Sequence, residues 1–355
     1  MKKIIKEKEK RAFILKYIII FFELLCFKYF ILNKNIKVSS IYSYNLKNNN
    51  SYIINILRDN IAQYFKKNIS RINTLYIKTG GRFGNYFISL NNAIIFCEFL
   101  SCKRIIIKHK YIKYKIFYHK YNLTIESNKP FNFSDNSSFI SDVGFFLKLN
   151  LTDLGKVNRF YVFREEILNN LPKVKISLDE LYIYIRGGDI FWILNKTNPY
   201  YTQPPLCFYK KVLNEFTFKK VNIISEDISN PVILILLKEY PYIKYNKKNM
   251  KLDISYLLNS YNIISATSSF IASIIKLNQN LKFLWEYDFY KLKNRYLFLH
   301  YSVYTFSFNY TIYKMNVSEN YEKLMYPFHN SENQRKLMIE EKCDNNFHLI
   351  PPRIT

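Results

Sequence analysis

The segment Leu181-Tyr182-Ile183-Tyr184-Ile185-Arg186-Gly187-Gly188-Asp189 joins an apolar run of strand type to a glycine turn that carries two opposite charges. From this segment to about residue 284, short strand-like runs alternate with runs that have helical periodicity. Alternation of this kind predicts a parallel sheet with helices on both faces. The predicted fold class is therefore α/β.

The predicted elements fall into two groups along the chain. In the later group the predicted strands are 181–185, 221–224, 242–245, 262–264 and 281–284, and the predicted helices are 206–216, 231–240, 253–261 and 268–277. The earlier group has predicted strands at 74–78 and 104–108 on either side of a predicted helix at 85–100. Between 109 and 175 the pattern is poorer, and a loop rich in Ser and Asn is predicted at 132–142.

Glycine is scarce in this chain, and its placement is informative. The chain has 7 glycines, and five of them lie in two segments, Gly80–Asn85 and Arg186–Asp189. Ordinary usage would give about 25 in a chain of this length. Glycine is needed where φ is positive or where the backbone approaches a ligand closely. Both segments are candidate ligand loops, although Gly80–Asn85 is equally compatible with a tight strand-to-helix turn.

A polar cluster follows each of three predicted strands of the later group. The clusters are Arg186–Asp189, Ser225–Asp227 and Ser265–Phe270. In a parallel sheet the carboxyl ends of the strands share one edge, and ligands bind in the crevice outside that edge. The three clusters are therefore predicted to converge on one ligand.

The chemistry of the three clusters is complementary. Arg186 offers a planar set of donors that suits a phosphate. Ser268 and Ser269 stand at a predicted helix start, where hydroxyls and backbone N–H groups favour an anion. Glu226 and Asp227 can accept hydrogen bonds from ribose hydroxyls or from a base edge. Together these residues predict a site for a nucleotide diphosphate.

Each cluster also has a structural alternative. Arg186 and Asp189 can form a local ion pair in a turn, and Ser225–Asp227 can start a loop and cap the next helix. Ser268 and Ser269 can be an ordinary helix N-cap. These alternatives stay open for each cluster alone, and the coincidence of all three at strand ends favours the ligand site.

At these residues the chain resembles the fucosyltransferase superfamily that includes the α1,2-, α1,6- and protein O-fucosyltransferases. Gly81–Asn85 is similar to its Gly-x-x-Gly-Asn loop, and Tyr184–Asp189 is similar to its His-x-Arg-x-x-Asp motif. Ser225–Asp227 resembles its Ser-Asp-Asp motif, and Ser265–Phe270 resembles its Ser-x-Ser-Ser/Thr-Phe motif. The order and spacing match over about 75–290.

The resemblance implies a GT-B fold of two Rossmann-like lobes with parallel sheets, GDP-fucose as the donor, inversion at the anomeric carbon and no metal. It implies that Arg186 contacts the β-phosphate, that Asp227 contacts the guanine or the ribose, and that the 268–270 segment contacts the diphosphate. No Asp-x-Asp sequence occurs, which agrees with metal-independent chemistry. The candidate catalytic residues are Arg186 and Asp189, and the candidate donor-binding residues are Gly81, Gly84, Asn85, Ser225, Glu226, Asp227, Ser268, Ser269 and Phe270.

Two positions depart from the family pattern. Tyr184 stands where the family has His, and Gly187-Gly188 replaces a pair that is frequently basic. The sequence thus predicts an inverting, metal-independent glycosyltransferase that transfers fucose from GDP-fucose to a glycan or glycoprotein hydroxyl. A transferase that uses another nucleotide sugar, or a non-catalytic relative that binds glycans or nucleotides, stays open. The loop 198–206 is predicted to line the acceptor cleft or to pack on the following helix.

The N-terminal region predicts a membrane anchor. In Ala12–Leu32, 18 of 21 residues are apolar, the exceptions being Lys16, Glu23 and Lys28, and the segment is long enough to span a bilayer. The basic segment before it favours a cytosolic N-terminus. This predicts a single-pass type II protein of the Golgi or ER membrane with a lumenal catalytic region. A cleaved signal peptide and an amphipathic or buried helix are the alternatives.

The predicted organisation has six parts. They are a cytosolic basic segment at 1–11, a signal anchor at 12–32, a stem at 33–72, an acceptor-side lobe at 73–175, a nucleotide-sugar lobe at 176–290 and a C-terminal tail at 291–355 that packs on the lobes.

The net charge and the cysteines bear on which partners, disulfides and metals the sequence predicts. The formal net charge is +26, but the lysines are dispersed, so a generic basic surface is favoured over nucleic-acid binding. The predicted partners are a nucleotide-sugar donor, a glycan or glycoprotein acceptor and the membrane. Cys97, Cys102, Cys207 and Cys343 allow three disulfide pairings or four free thiols, and their spacing does not suit zinc.

Overall fold

The computed structural model describes residues 73–77, 83–107, 115–118, 122–127, 138–141, 169–196, 201–245, 249–289 and 309–352. The predicted cytosolic segment, anchor and stem lie outside these residues. Within the described ranges, no helix has both the length and the apolar composition that a bilayer crossing requires. The described chain is α/β, and its strands form two mainly parallel sheets.

The first sheet has five strands and one long helix. Its elements are β1 Thr74–Ile77, α1 Phe83–Leu100, β2 Arg104–Ile107, β3 Lys115–Tyr118, β4 Leu123–Ser127 and β5 Ser138–Ser141. The strand order is β3-β4-β2-β1-β5. β3 is antiparallel to β4, and the other pairs are parallel.

The second sheet has seven strands. Its elements are β6 Glu180–Tyr184, α2 Leu206–Glu215, β7 Lys220–Ile224, α3 Pro231–Glu239, β8 Ile243–Tyr245, α4 Met250–Asn259, β9 Asn262–Ser265, α5 Ser269–Leu277, β10 Phe283–Asp288, β11 Thr311–Asn316, α6 Glu319–Met325, α7 Glu332–Glu340 and β12 His348–Ile350. The strand order is β12-β11-β10-β9-β6-β7-β8, and only β12 among these strands is antiparallel to its neighbour.

The connection pattern of the second sheet places a switch point beside β6. Counted from β6, its six parallel strands lie in the order 3-2-1-4-5-6, which is the order of a doubly wound Rossmann-type sheet. The chain leaves β6 toward β7 and β8 and later returns to the other side of β6 as β9. Right-handed crossovers then put α2 and α3 on one face and α4 and α5 on the other. The crevice between the carboxyl ends of β6 and β9 is the expected ligand position in such a sheet.

The local sequence explains why these elements form. All five residues of β6 are buried, as expected for a central strand with helices on both faces. Asn230 caps α3 by accepting from the Val232 N–H, and Pro231 occupies the first helical position, where a missing N–H costs nothing. Ser268 caps α5 in the same way.

The structure confirms most of the predicted elements of the second sheet and corrects one part of the first. The predicted loop at 132–142 contains the strand β5, which pairs with β1. The strands β3 and β4 were not predicted. In the predicted tail, β11 and β12 extend the second sheet, and α7 packs against α2 and α3. Both sheets lie in one compact unit, and the predicted boundary near residue 175 stays a prediction.

The four cysteines of the described chain form two disulfides. Cys97 in α1 pairs with Cys102, which follows the helix. Cys207 in α2 pairs with Cys343, which follows α7. This selects one of the three pairings that the sequence left open. In the described ranges no group of His, Cys, Asp and Glu is arranged to hold a metal ion.

Candidate functional site

The clusters after β6 and β9 meet at the switch point. The Tyr184 hydroxyl donates to Ser268 Oγ over 3.2 Å. Gln203 Nε2 donates to the Thr267 carbonyl over 3.2 Å, so the loop before α2 also reaches the end of β9. The structure therefore brings the turn Arg186–Asp189, called the arginine turn below, close to the start of α5. Both lie at the edge of the sheet where the parallel strands have their carboxyl ends.

The cluster after β7 joins the same place. The Gly188 N–H donates to Asp227 Oδ1 over 2.9 Å and also to Ser229 Oγ over 3.0 Å. Arg186 Nη1 donates to Glu226 Oε2 over 3.3 Å, and Asn230 Nδ2 donates to the Arg186 carbonyl over 3.0 Å. All three predicted clusters thus converge.

Arg186 occupies the centre of this arrangement. Its side chain is 9% exposed and lies between two carboxylates, with Nη2 donating to Asp189 Oδ1 over 2.6 Å. Burial alone would lower the pKa of Arg186, but Tyr184, Asp189 and Glu226 raise it above its usual range. The guanidinium is therefore a permanent cation.

One donor of that guanidinium is unused. Among the described residues, the buried Arg186 Nε has no hydrogen-bond partner. A buried donor left unpaired costs about 1–3 kcal/mol, and such a group in a native structure calls for an explanation. An oxygen of a ligand at this point would satisfy it.

Asp227 braces the arginine turn. Its Oδ1 accepts from the N–H groups of Gly188 and Ser229, and its Oδ2 accepts from Trp192 Nε1 over 2.7 Å. Burial alone would raise the pKa of Asp227, but hydrogen bonds from Ser229, Trp192 and Gly188 lower it to about 2. These contacts hold the loop, and the contact with guanine or ribose that the resemblance implies for Asp227 stays a prediction.

The other two carboxylates lie at the rim. The side chains of Asp189 and Glu226 are 41% and 38% exposed, so a ligand in the crevice can approach them. In dinucleotide-binding sheets of this strand order an acidic residue downstream of the glycine turn binds the ribose hydroxyls, and Glu226, which follows β7, is the corresponding candidate here. Ser225 turns inward, where its Oγ donates to the Asp227 carbonyl over 2.8 Å.

The start of α5 is capped and only partly exposed. Ser268 is buried, and its Oγ accepts from the Phe270 N–H over 3.2 Å, so the N-cap alternative is realised. Ser269 and Phe270 are half-buried in the first turn. The positive end of the helix dipole points toward the crevice and favours an anion there.

Gly187 and Gly188 make room for the loop after β7. A Cβ at Gly187 would stand 2.7 Å from Asp227 Oδ1, and a Cβ at Gly188 would overlap the Glu226 carboxylate. Gly188 also has a φ of +72°, which favours glycine. These two glycines let carboxylates, rather than a ligand, approach the backbone.

Gly84 has a packing role. It lies in the first turn of α1, and a Cβ there would overlap the backbone of Ser269 and Phe270. Ser273 Oγ donates to the Gly84 carbonyl over 3.3 Å. Gly84 thus lets α1 rest on the first turn of α5, the helix that begins at the crevice. Gly81 lies outside the described residues, as does the side chain of Asn85.

No protein-family model, curated protein or solved structure matches this chain. The resemblance to the fucosyltransferases rests on the motif residues quoted above.

The structure places two residues at the site that the sequence did not single out: Gln203, which lies in the predicted loop 198–206, and Trp192. Gln203 is fully buried, and its Oε1 has no hydrogen-bond partner among the described residues. Its backbone carbonyl accepts from the Tyr321 hydroxyl over 2.8 Å. Trp192 follows the arginine motif closely, and its proximity to that motif was the available indication in the sequence.

Proposed function

We propose that this chain is an inverting glycosyltransferase that takes a nucleotide-sugar donor, with GDP-fucose as the first donor to test. The observation that supports this best is the meeting of a buried guanidinium and a helix N-terminus at the switch point of a doubly wound sheet. Both groups favour a diphosphate, and Glu226 stands where a ribose hydroxyl is expected.

In this proposal Arg186 stabilises the leaving group. The acceptor oxygen attacks the anomeric carbon while the bond from that carbon to the diphosphate breaks on the opposite side. Negative charge then grows on the diphosphate, and the guanidinium and the start of α5 offset it. Fixed donors of this kind are effective because they need no reorganisation as the charge develops.

Asp189 is the proposed base. The acceptor hydroxyl must lose its proton as the new bond forms, and Asp189 is a half-exposed carboxylate that also touches Arg186. Because Asp189 Oδ1 accepts from Arg186 Nη2, this carboxylate also orients the guanidinium. Both roles predict that its loss lowers turnover.

The two sheets are proposed to be the two lobes of a GT-B enzyme, with 12–32 as a Golgi or ER membrane anchor. The two disulfides favour an oxidising compartment such as the secretory lumen. The acceptor is proposed to be a glycan or a glycoprotein, and the reaction is proposed to be metal-independent.

The test is transfer by Arg186→Ala, measured with a panel of nucleotide sugars that includes GDP-fucose. Loss of a charge-stabilising donor commonly costs about 10²–10³ in turnover, and we expect a loss of that size. Arg186→Lys is the matched control, because it keeps the charge and loses the planar fork. Thermal unfolding of both variants separates loss of activity from loss of folding. Transfer by folded Arg186→Ala at the wild-type rate would overturn the role.

A non-catalytic binding protein is the second candidate. The pairing of Arg186 with Asp189 and Glu226 favours it, because this network can also serve only to hold the turn. Saturable donor binding without turnover on any acceptor glycan would support this candidate over the transferase.

A further inference from the structure

Trp192 is a large aromatic side chain beside the site that is exposed to solvent. It is 61% exposed, although tryptophan is usually well buried. Ile193, Leu194 and Ile228 nearby are also between 46% and 58% exposed. Apolar patches of this kind on a protein surface commonly mark binding sites.

The exposed indole is held in place from three directions. Its Nε1 donates to Asp227 Oδ2 over 2.7 Å. On one side of it, Arg335 Nη2 donates to the Phe191 carbonyl over 2.5 Å. On the other side, Asn330 Nδ2 donates to the Ile193 carbonyl over 2.9 Å. The ring is therefore exposed and yet preorganised, which lowers the entropy that binding costs.

The charges around Trp192 favour a neutral ligand. The network next to it contains the carboxylates of Asp189, Glu226 and Asp227. The cations there are Arg186, which lies between two of these carboxylates, and Arg335, which donates to the Phe191 carbonyl, so the carboxylates outnumber the cations. These carboxylates would repel an anionic ligand beside Trp192, whereas the hydroxyl groups of a neutral ligand can donate to the half-exposed carboxylates. An apolar ring face beside carboxylate acceptors suits a sugar, which has both C–H faces and hydroxyls.

The open setting favours an extended ligand over a nucleobase. Small ligands such as a base are mostly buried in clefts when bound. Trp192 instead lies on an open surface that continues through Ile193 and Leu194. It also contacts the loop after β7, on the side of β6 away from the crevice next to β9.

We infer that Trp192 is the stacking platform for a pyranose ring of a neutral acceptor glycan. This inference rests on the proposed function and names its acceptor class. The ring lies on the indole face, and its hydroxyls donate to Asp189, since Glu226 is assigned to the donor ribose.

The chain offers a spectroscopic test, because it has only 2 tryptophans. The second one, Trp285, is buried and stacks on Tyr313 at 5.4 Å between ring centroids. The full-length variant Trp285→Phe leaves Trp192 as the single reporter. Lactose and N,N′-diacetylchitobiose, titrated to about 10 mM, are the neutral probes, chosen for the affinity range of weak glycan sites. We expect a saturable change in emission and slower quenching by acrylamide.

The matched control is Trp192→Phe, in which only the buried Trp285 emits and no change is expected. Calorimetry on Trp192→Ala, with Trp285 intact, repeats the test without a core substitution. We expect affinity for the neutral sugars to fall about tenfold or more. The anionic probe 3′-sialyllactose should bind more weakly than lactose because of the carboxylates.

The inference is overturned if neither neutral sugar changes the emission, or if Trp192→Ala binds them as the wild type does. It is also overturned if GDP alone changes the emission and the sugars do not, because the indole then faces the base. Donor binding and transfer, measured separately, test the proposed function. Glycan binding without transfer would support the platform and not the transferase.

Discussion

The two glycine segments of this chain look alike in sequence and serve different purposes in the structure. Gly84 in α1 lies against the backbone of another helix. Gly187 and Gly188 after β6 lie against the carboxylates of Asp227 and Glu226. In both places a Cβ would overlap its neighbours, but main chain fills the space beside Gly84, whereas the end of the flexible Glu226 side chain fills the space beside Gly188.

These two surroundings show what a glycine can indicate in a chain where glycine is scarce. At each of the three glycines that the structure describes, a Cβ has no room. The identity of the neighbour decides whether the position supports the fold or shapes a site. Gly84 lets α1 pack on α5, whereas Gly188 leaves room for the Glu226 carboxylate beside Arg186, and substitutions at the two glycines separate these roles.

The largest effect on stability is expected for Gly84→Ala. The added methyl would meet backbone atoms of Ser269 and Phe270, which cannot move without separating α1 from α5. Overpacking against such neighbours costs about 3 kcal/mol. Urea unfolding measures the loss, and Gly84→Ser should lose at least as much. Wild-type stability in both variants would show that α1 and α5 need not touch.

A smaller loss of stability is expected for Gly188→Ala. The φ of +72° costs a side chain roughly 1–2 kcal/mol, and the methyl would displace the Glu226 carboxylate, which is a flexible group. Donor affinity should also fall, because the displaced Glu226 carboxylate no longer lies where the proposal puts a ribose hydroxyl.

The double variant Gly188→Ala with Glu226→Ala is the control for this interpretation. Removing the carboxylate makes room for the methyl, so the two substitutions should be less than additive in urea unfolding. Strict additivity would mean that backbone strain alone causes the loss at Gly188.

The smallest effect concerns the acid stability of the arginine turn. The pKa of Asp227 is lowered from 3.8 to about 2 in the folded protein, so its contribution to stability is present above pH 3.8 and is lost as the pH falls toward 2. Asp227→Asn should flatten the loss of stability over that range, measured by thermal unfolding at several pH values. A slope equal to that of the wild type would show that Asp227 does not carry this dependence.

The strands β6 to β10 and the helices between them could be predicted from the sequence because short apolar runs alternate there with runs of helical periodicity. The convergence of Arg186, Glu226 and Ser268 followed from one rule, that parallel strands end at the same edge. The first sheet was harder, because β3, β4 and β5 lie where strand-like and helical runs do not alternate, and β5 lies in a stretch rich in Ser and Asn. Strand formation there depends on pairing with a neighbour rather than on composition.

The orientation of single side chains could not be predicted. Glu226 and Asp227 are adjacent acids, and the sequence does not indicate that the first lies at the rim while the second turns toward Gly188 and Trp192. That choice depends on the conformation of the loop after β7. The neighbour of Gly84 also depends on tertiary packing, since α5 begins almost two hundred residues later.

The disulfide between Cys207 and Cys343 gives the second sheet an unusual connectivity. It closes a covalent ring over a sequence separation of 136 residues. The strands β7 to β11 belong to this ring, and β6 and β12 stand outside it. A single proteolytic nick anywhere in the ring therefore leaves the two fragments tethered, and they part only when the bond is reduced.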